Sequence, residues 1–163
     1  MGPGMGYRAH RMINLSPLPK WLSIAELELG VSEVAGKGAN PRIVEYQRSC
    51  PSLPEAMKVT DETAWCSAFA NWCMHQAGFK GTGLANARSW LTWGEPISLK
   101  AGAVAVLSSP LGAEHGHVAF VLAELDKSVV LLGGNQGNRV SITTYPRDRL
   151  LAYRWPSVAQ VSP

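Results

Sequence analysis

The sequence predicts an α+β domain over residues 17–157, with N-terminal helices packed on a roughly five-stranded antiparallel sheet. Apolar residues recur at helical spacing before residue 100, and valine-rich, strand-like runs follow it. A run of helices followed by a run of strands is typical of α+β folds rather than of parallel βαβ folds. The 163 residues are enough for one hydrophobic core and few for two, so a single domain is expected.

Four helices are predicted before the sheet. The segment "PKWLSIAELELG" has near-helical spacing and stops at Gly30, and Asn40 followed by Pro41 marks the start of a second helix. A third helix is expected to begin around residues 62–64 and to run to Gly78. The segment "TGLANARSWLTWG" predicts a short fourth helix that is closed by Gly94.

Five strands are predicted after residue 100, separated by Gly, Pro, Asn and Asp turn residues. In chain order they are "GAVAVLS", "HVAFVLAEL", "SVVLLGG", "RVSITTY" and "LLAYRW". Because no helical pattern separates them, we expect antiparallel pairing.

The two ends of the chain are expected to lie outside the domain. Residues 1–16 mix Gly, Pro and basic residues without periodicity and predict a flexible leader, and residues 158–163 predict a short tail. The leader lacks the apolar run of a secretory signal, so we expect synthesis in the cytoplasm. No stretch approaches the roughly 20 apolar residues that span a bilayer, so no membrane partner is expected.

Charge gives no sign of a nucleic-acid partner. The formal net charge is +3, without a long basic run, whereas a nucleic-acid interface normally concentrates Lys and Arg in one patch. With 46% hydrophobic and 17% charged residues, the composition fits a folded protein rather than a disordered segment.

Cys66 is the candidate nucleophile. With Thr60 or Asp61 as the cap, the third helix carries Cys66 in its first turn. Unpaired backbone N–H groups and the helix dipole at that position favour the thiolate over a thiol of pKa about 8.5. The alternative is structural, because free cysteine often packs as a small apolar residue.

The other two cysteines are expected to be structural. Cys73 lies in the same helix, roughly 10 Å along it, which is too far from Cys66 for a disulfide. Nothing near Cys50 in the sequence marks it as activated. Three cysteines also leave at least one thiol free, which argues against a disulfide-framed fold.

A cysteine nucleophile needs an imidazole to take and return the proton, and His117 is our candidate base. His10 lies in the leader, His75 lies more than two turns along the same helix as Cys66, and His115 belongs to a loop before the strand. His117 opens the strand "HVAFVLAEL", whose alternate residues are expected to face opposite sides of the sheet. The alternative is a structural histidine at a strand edge.

The segment "EHGH" offers another alternative, a zinc site. Zinc normally takes three or four ligands at defined spacing, and no further His or Cys cluster supplies the remainder. We therefore expect no metal and no cofactor.

A third polar group usually orients the histidine. Asn135, which directly follows "VVLLGG" at the end of the next strand, is the first choice and Gln136 is the reserve. Antiparallel pairing returns this end of the strand to the level of His117. The alternative is a simple turn, in which Gly, Asn and Gln are common.

The order of these residues resembles the papain-like cysteine peptidoglycan hydrolases of the CHAP (cysteine, histidine-dependent amidohydrolase/peptidase) and NlpC type. The resembling segments are "WCSAFANWCMHQAG", "ARSWLTWG", "GAVAVL", "HGHVAFV" and "LGGNQGNRV". They are similar to small bacterial and phage proteins of this superfamily, over roughly residues 20–156. The resemblance implies a papain-like fold.

The resemblance also implies hydrolysis of an amide bond in the stem peptide of peptidoglycan, by an endopeptidase or an amidase. Cys66 would attack the carbonyl, His117 would protonate the leaving amine and then activate water, and Asn135 would orient the ring. Four residues are candidate substrate contacts; Trp65 could equally be a core aromatic and Asp61 a plain helix cap. They are Tyr46, Asp61, Trp65 and Gln136.

Three classes of function stay open. The first is a peptidoglycan hydrolase, either a phage lysis enzyme or an antibacterial effector, acting on the wall or in the periplasm after lysis or delivery by a secretion system. The second is a cysteine hydrolase of the same fold acting on another amide or ester. The third is a non-catalytic binding module. For the first class we expect a monomer, and an immunity or inhibitor protein is a candidate partner.

Overall fold

The computed structural model describes residues 17–35, 38–53 and 65–163. The expected leader and the expected cap at Thr60 or Asp61 lie outside these ranges. Within them, no helix is both long and apolar enough to cross a membrane.

Among the described residues, three α-helices precede the sheet: α1 (Lys20–Leu27), α2 (Pro41–Gln47) and α3 (Cys66–Gln76). The predicted cap of α2 is confirmed, because the Asn40 side chain accepts a hydrogen bond of 2.9 Å from the Arg42 N–H and Pro41 is the first helical residue. The predicted fourth helix is a 3₁₀ helix, Ala87–Thr92.

The strands form one antiparallel sheet in the order β1-β6-β2-β3-β4-β5. Their bounds are β1 (Glu95–Pro96), β2 (Val104–Ser108), β3 (Gly116–Glu124), β4 (Ser128–Gly133), β5 (Ser141–Pro146) and β6 (Leu150–Trp155). The prediction of an α+β fold is confirmed, with six strands described instead of five. The additional strand, β1, has two residues, which is too short to show the alternation that identifies strands.

The start of α3 also differs from the prediction. Trp65 has φ −128° and ψ 18° and occupies the N-cap position, so the helix begins at Cys66 and not around residues 62–64. At its other end Gly78 has φ +88°, a left-handed conformation that suits glycine and stops a helix. Cys66 is therefore in the first turn, as expected, and is the first helical residue.

The sheet is strongly curled because the link between β5 and β6 is short. Four strand spacings separate β5 from β6 in the sheet order, about 19 Å if the sheet were flat. The chain from Pro146 to Leu150 has four residue steps and spans at most about 14 Å. The sheet must therefore bend until the ends of β5 and β6 approach each other.

Two apolar clusters occupy the two faces of the sheet. On one face, Val118 and Phe120 of β3 pack with the helices and with Trp65 and Phe69. On the concave face, Ala119 and Val121 of β3 lie in a second cluster against which Tyr145, Leu150 and Tyr153 pack. This division matches the alternation predicted for β3.

The residues expected to form a tail contact the fold. Phe79 and Val161 form an isolated β-bridge, and the N–H of Ser162 donates a hydrogen bond of 2.9 Å to the carbonyl of Gly78. Residues 158–160 form a 3₁₀ helix. Backbone pairing therefore extends beyond the predicted boundary at residue 157.

Gly134 allows the loop after β4 to lie directly on α3, which predicts that Gly134→Ala destabilises the fold. An added Cβ would lie 2.6 Å from the Cβ of Phe69 and 2.8 Å from Cζ3 of Trp65, inside their contact distance. We expect a loss of about 1–3 kcal/mol in the free energy of unfolding, measured by chemical denaturation.

Gly137→Asn in the same loop is the control for that variant. Gly137 has φ +69°, which asparagine tolerates, and a Cβ added at this position would have no atom within 4 Å. We expect its free energy of unfolding to stay within about 0.5 kcal/mol of the native value. Equal losses in both variants would contradict the close-packing argument.

Candidate active site

The first turn of α3 presents Cys66 with unpaired backbone donors. The first intrahelical hydrogen bond runs from the N–H of Phe69 to the carbonyl of Trp65 at 2.9 Å, so the N–H groups of Cys66 and Ser67 have no helical partner. The positive end of the helix dipole lies at the same point. This position stabilises negative charge on the sulfur of Cys66 and on any oxygen beside it.

The fold brings Cys66 and His117 into contact across about fifty residues of chain. His117 lies at the start of β3, and its ring is hydrogen-bonded with the Cys66 thiol. Cys66 is 8% exposed, so part of it remains accessible at the edge of the apolar cluster. The nucleophile and base predicted from the sequence therefore form one unit.

The pKa of the Cys66 thiol is lowered even though the residue is buried. Burial raises this pKa, but the hydrogen bond and positive charge of His117 lower it, and so do hydrogen bonds from the backbone N–H groups of Val118 and Ser67. Together these interactions outweigh the burial. The thiolate is thus favoured relative to an ordinary cysteine.

The pKa of His117 is raised. Burial lowers it, but the hydrogen bond and negative charge of Cys66 and the hydrogen bond with Gln136 raise it, while the charge of Arg149 opposes them. The thiolate–imidazolium pair forms as pH rises through the lowered pKa of Cys66. It is lost as pH rises further through the raised pKa of His117. Both shifts widen the pH range in which the pair exists.

Gln136 is the side chain that contacts the His117 ring. Its Oε1 lies 2.9 Å from Nε2 of His117, and its Nε2 donates to the carbonyls of Ser141 at 2.7 Å and Leu131 at 3.2 Å. The two carbonyls fix the amide, because only the NH₂ group can face them. Oε1 must then accept from the imidazole, which places a proton on Nε2 and leaves Nδ1 as the nitrogen for the sulfur.

An amide suits this position better than a carboxylate. A glutamate in place of Gln136 would turn an acceptor oxygen toward the carbonyls of Leu131 and Ser141, which are themselves acceptors. Gln136 is 3% exposed, and its backbone N–H donates to the carbonyl of Arg139 at 2.9 Å. Hydrogen bonds therefore fix both the backbone and the side chain of Gln136.

The structure therefore brings Gln136, the reserve candidate, to the ring in place of Asn135. Asn135 has φ +55°, a left-handed conformation, and is followed by further left-handed residues at Gly137 and Asn138. This turn directs the next side chain, Gln136, back over Gly133, where an added Cβ would lie 2.9 Å from Oε1 of Gln136. The contribution of Asn135 is to the backbone of the turn.

Three of the four expected substrate contacts are buried, and one of them is Gln136, whose polar atoms hold His117. Tyr46 is fully buried and its hydroxyl donates to Oε1 of Glu28 at 2.8 Å. Trp65 is fully buried and its indole N–H donates to Oε1 of Glu33 at 2.9 Å. Both lie where a substrate does not reach, because their polar tips are used inside the protein. Asp61 lies outside the described residues.

The environments of the other two cysteines differ from that of Cys66. Cys73 is fully buried, and burial and the charge of Glu28 raise the pKa of its thiol well above the ordinary value. Cys50 is fully buried too, and its sulfur accepts a long contact of 3.8 Å from Nδ2 of Asn71. Cys66 and Cys73 are not in disulfide bonds.

Two residues beside the site were not found from the sequence. The Tyr145 hydroxyl lies 3.3 Å from Nε2 of His117, and the guanidinium of Arg149 lies 5.2 Å from the Tyr145 ring centroid. Tyr145 occupies the inward-facing register of β5, which the alternation in "RVSITTY" shows. Tyr145 reaches His117 because the sheet is curled, and the order of polar and apolar residues in the sequence does not indicate this curling.

The segment "EHGH" does not form a metal cluster in the part of the chain that the structure describes. There, no three His, Cys, Asp or Glu side chains lie close enough together to hold an ion. Glu114 and His115 are exposed, and the carbonyl of His115 accepts a hydrogen bond of 2.7 Å from Nε of Arg88.

Comparison with known proteins finds a similarity to one family over part of the chain. A family model described as CHAP domain matches residues 58–135. The matched range contains Cys66 and His117, and Gln136 follows its last residue directly. No curated protein matches the chain.

Proposed function

From the match of residues 58–135 to the CHAP domain, we propose that the chain is a CHAP-type enzyme that hydrolyses an amide bond in the peptide part of peptidoglycan. CHAP domains are usually cysteine, histidine-dependent amidohydrolases or peptidases, typically acting on peptidoglycan. In this proposal Cys66 is the nucleophile, His117 is the acid–base residue and Gln136 orients the imidazole.

The contact between Cys66 and His117 at the N-terminus of α3 is the observation that supports this proposal most directly. Such a pair favours the thiolate, and a thiolate attacks an amide carbonyl without a prior proton transfer. A merely structural cysteine needs neither a histidine partner nor unpaired helix amides beside it.

The reaction proceeds in two halves. The Cys66 sulfur forms a bond to the carbonyl carbon, and the C–N bond breaks as the imidazolium of His117 gives its proton to the leaving amine. The neutral imidazole then removes a proton from water, which attacks the thioester and releases the carboxylic acid. The sulfur leaves as a thiolate beside the imidazolium that carries the proton from water, and this restores the thiolate–imidazolium pair.

The negative oxygen of each tetrahedral intermediate needs a donor. The backbone N–H of Cys66 is suited to this role, because it lacks a helical partner and lies at the positive end of the helix dipole. The N–H groups of Ser67 and Val118 already hydrogen-bond the sulfur. They stabilise the thiolate before attack.

Digestion of purified sacculi tests the proposal. The protein is expected to release soluble fragments, and each cut leaves a new carboxyl terminus on one product and a new amine terminus on the other, which mass spectrometry identifies. Sacculi with diaminopimelate and with lysine cross-links are compared, since the site leaves the stem-peptide chemistry open. Peptidoglycan lies outside the cytoplasm, so we also propose that the protein acts there, after lysis or delivery by a secretion system.

Two alanine variants make the digestion specific. Cys66→Ala removes the sulfur and is expected to release no fragments. Cys73→Ala makes the same substitution seven residues along α3, away from His117, and is expected to keep the activity. Fragments released equally by Cys66→Ala, or none from the native protein, would reject the proposal. A protein whose Cys66 is activated but which leaves sacculi intact would favour a hydrolase of another amide or ester.

A further inference from the structure

The Tyr145 side chain packs on the same imidazole nitrogen that Gln136 holds. Its hydroxyl oxygen lies 3.3 Å from Nε2 of His117, and the two ring centroids are 5.2 Å apart with an angle of 34° between the planes. Since Gln136 fixes a proton on Nε2, the tyrosine oxygen can only accept from it. The Nε2–H group therefore faces two acceptors.

Tyr145 reaches this position because the sheet is curled. It is the penultimate residue of β5, and the short link Arg147–Arg149 connects that end of the strand to β6. Arg149 lies on this link and is anchored by its Nε and an Nη atom, which donate to the carbonyl of Ser108 at 3.0 Å and 2.8 Å. Its guanidinium covers the Tyr145 ring at 5.2 Å. The tyrosine is thus held between His117 and a fixed cation.

The Tyr145 hydroxyl stays neutral over the pH range in which the pair exists. Burial raises its pKa to about 12, the positive charge of Arg149 opposes this, and the negative charge of Cys66 adds to it. A neutral hydroxyl offers the imidazolium an acceptor without a full negative charge.

We propose that Tyr145 is a second positioning residue for His117. The hydroxyl of Tyr145 shares the Nε2–H of His117 with Gln136 and stabilises the imidazolium. This inference rests on the proposed use of the Cys66–His117 pair. Its expected effect is to extend the pair toward higher pH, because an acceptor at Nε2 favours the protonated ring.

Two charged groups and two neutral acceptors face His117 and together set its pKa. Cys66 of α3 raises the pKa of His117, and Arg149 of the β5–β6 link lowers it. Gln136 and Tyr145 are neutral neighbours that contribute acceptors. Replacing the tyrosine by phenylalanine changes neither charge and keeps the ring against Arg149.

The test uses alkylation of Cys66 by iodoacetamide, followed from acid to alkaline pH with modified peptides mapped by mass spectrometry. The rate is expected to change in two steps, at the pKa of the thiolate and at that of the imidazolium. In Tyr145→Phe the second step is expected to move to lower pH by about half a unit, because the charged ring has lost an acceptor. The probe is small and needs no peptidoglycan.

A matched control is Tyr153→Phe. Tyr153 lies on β6 of the same sheet, and its hydroxyl donates to Oε1 of Glu124 at 3.0 Å. We expect its alkylation profile to coincide with that of the native protein. Coincident profiles for Tyr145→Phe and the native protein would overturn the inference and leave the proposed function standing. A native profile without a low-pH step would overturn both.

A double variant distinguishes positioning from packing. With Gln136→Ala as background, the tyrosine hydroxyl is the acceptor that remains for Nε2–H, so adding Tyr145→Phe is expected to lower the alkylation rate at pH 6 by a larger factor than in the native background. Packing alone would give the same factor in both backgrounds. Equal factors would therefore contradict the inference.

Discussion

Replacing His117 with alanine is expected to abolish turnover and to return Cys66 to the low reactivity of a buried thiol. The hydrogen bond and charge of His117 are the largest of the interactions that oppose burial at the sulfur, so their loss raises the pKa of Cys66. Turnover is expected to fall by at least about a thousandfold, since both the ground-state thiolate and the general acid are lost.

Iodoacetamide labelling separates the two effects. At pH 6 a thiol of ordinary pKa is ionised in well under about 1% of molecules, so we expect Cys66 in His117→Ala to alkylate about a hundredfold more slowly than in the native protein. His75→Ala is the control, because His75 is exposed near the end of α3. A variant at position 117 that keeps the native labelling rate at pH 6 would show that the imidazole does not activate the sulfur.

Gln136→Ala is expected to lower kcat by about 10- to 100-fold, and Asn135→Gly to leave it within about twofold. Removing the Gln136 amide takes away the acceptor that fixes the proton on Nε2 of His117, so the ring can adopt the other tautomer. Glycine at position 135 keeps the left-handed turn at φ +55° and deletes only the side chain. Steady-state turnover on solubilised peptidoglycan measures both.

The comparison decides which amide assists the histidine. If Asn135→Gly loses activity and Gln136→Ala keeps it, the assignment of Gln136 is wrong and the first expectation from the sequence stands. The thermal midpoint of each variant must be measured beside its turnover, because Gln136 also bonds the carbonyls of Leu131 and Ser141. Loss of activity in a variant that remains folded is the informative result.

Local features of this fold were predictable because they depend on neighbouring residues. Asn40 and Pro41 start α2 through contacts within one turn, and the alternation of β3 assigned Val118 and Ala119 to opposite faces. The position of Cys66 at a helix start has the same origin. The six-stranded sheet exceeded the prediction only at β1, where two residues carry no period.

Several contacts between residues that are far apart in the sequence could not be predicted. Asn135 and Gln136 are adjacent amides, and the left-handed backbone of the first decides that the second reaches His117. Tyr46 and Trp65 are aromatic residues whose carboxylate partners, Glu28 and Glu33, come from distant segments of the sequence. Spacing along the chain does not record such pairings, so burial and exposure at these positions could not be distinguished.

Because Gln136 hydrogen-bonds the carbonyl of Ser141, local opening of the β4–β5 hairpin is expected to disturb the active site. Ser141 belongs to β5, an outermost strand of the described sheet, and outermost strands fray more readily than central ones. When β5 detaches from β4, the amide of Gln136 loses its shortest restraint, and the location of the imidazole proton is no longer specified. Heating is then expected to abolish the activity at temperatures at which the helices are still folded.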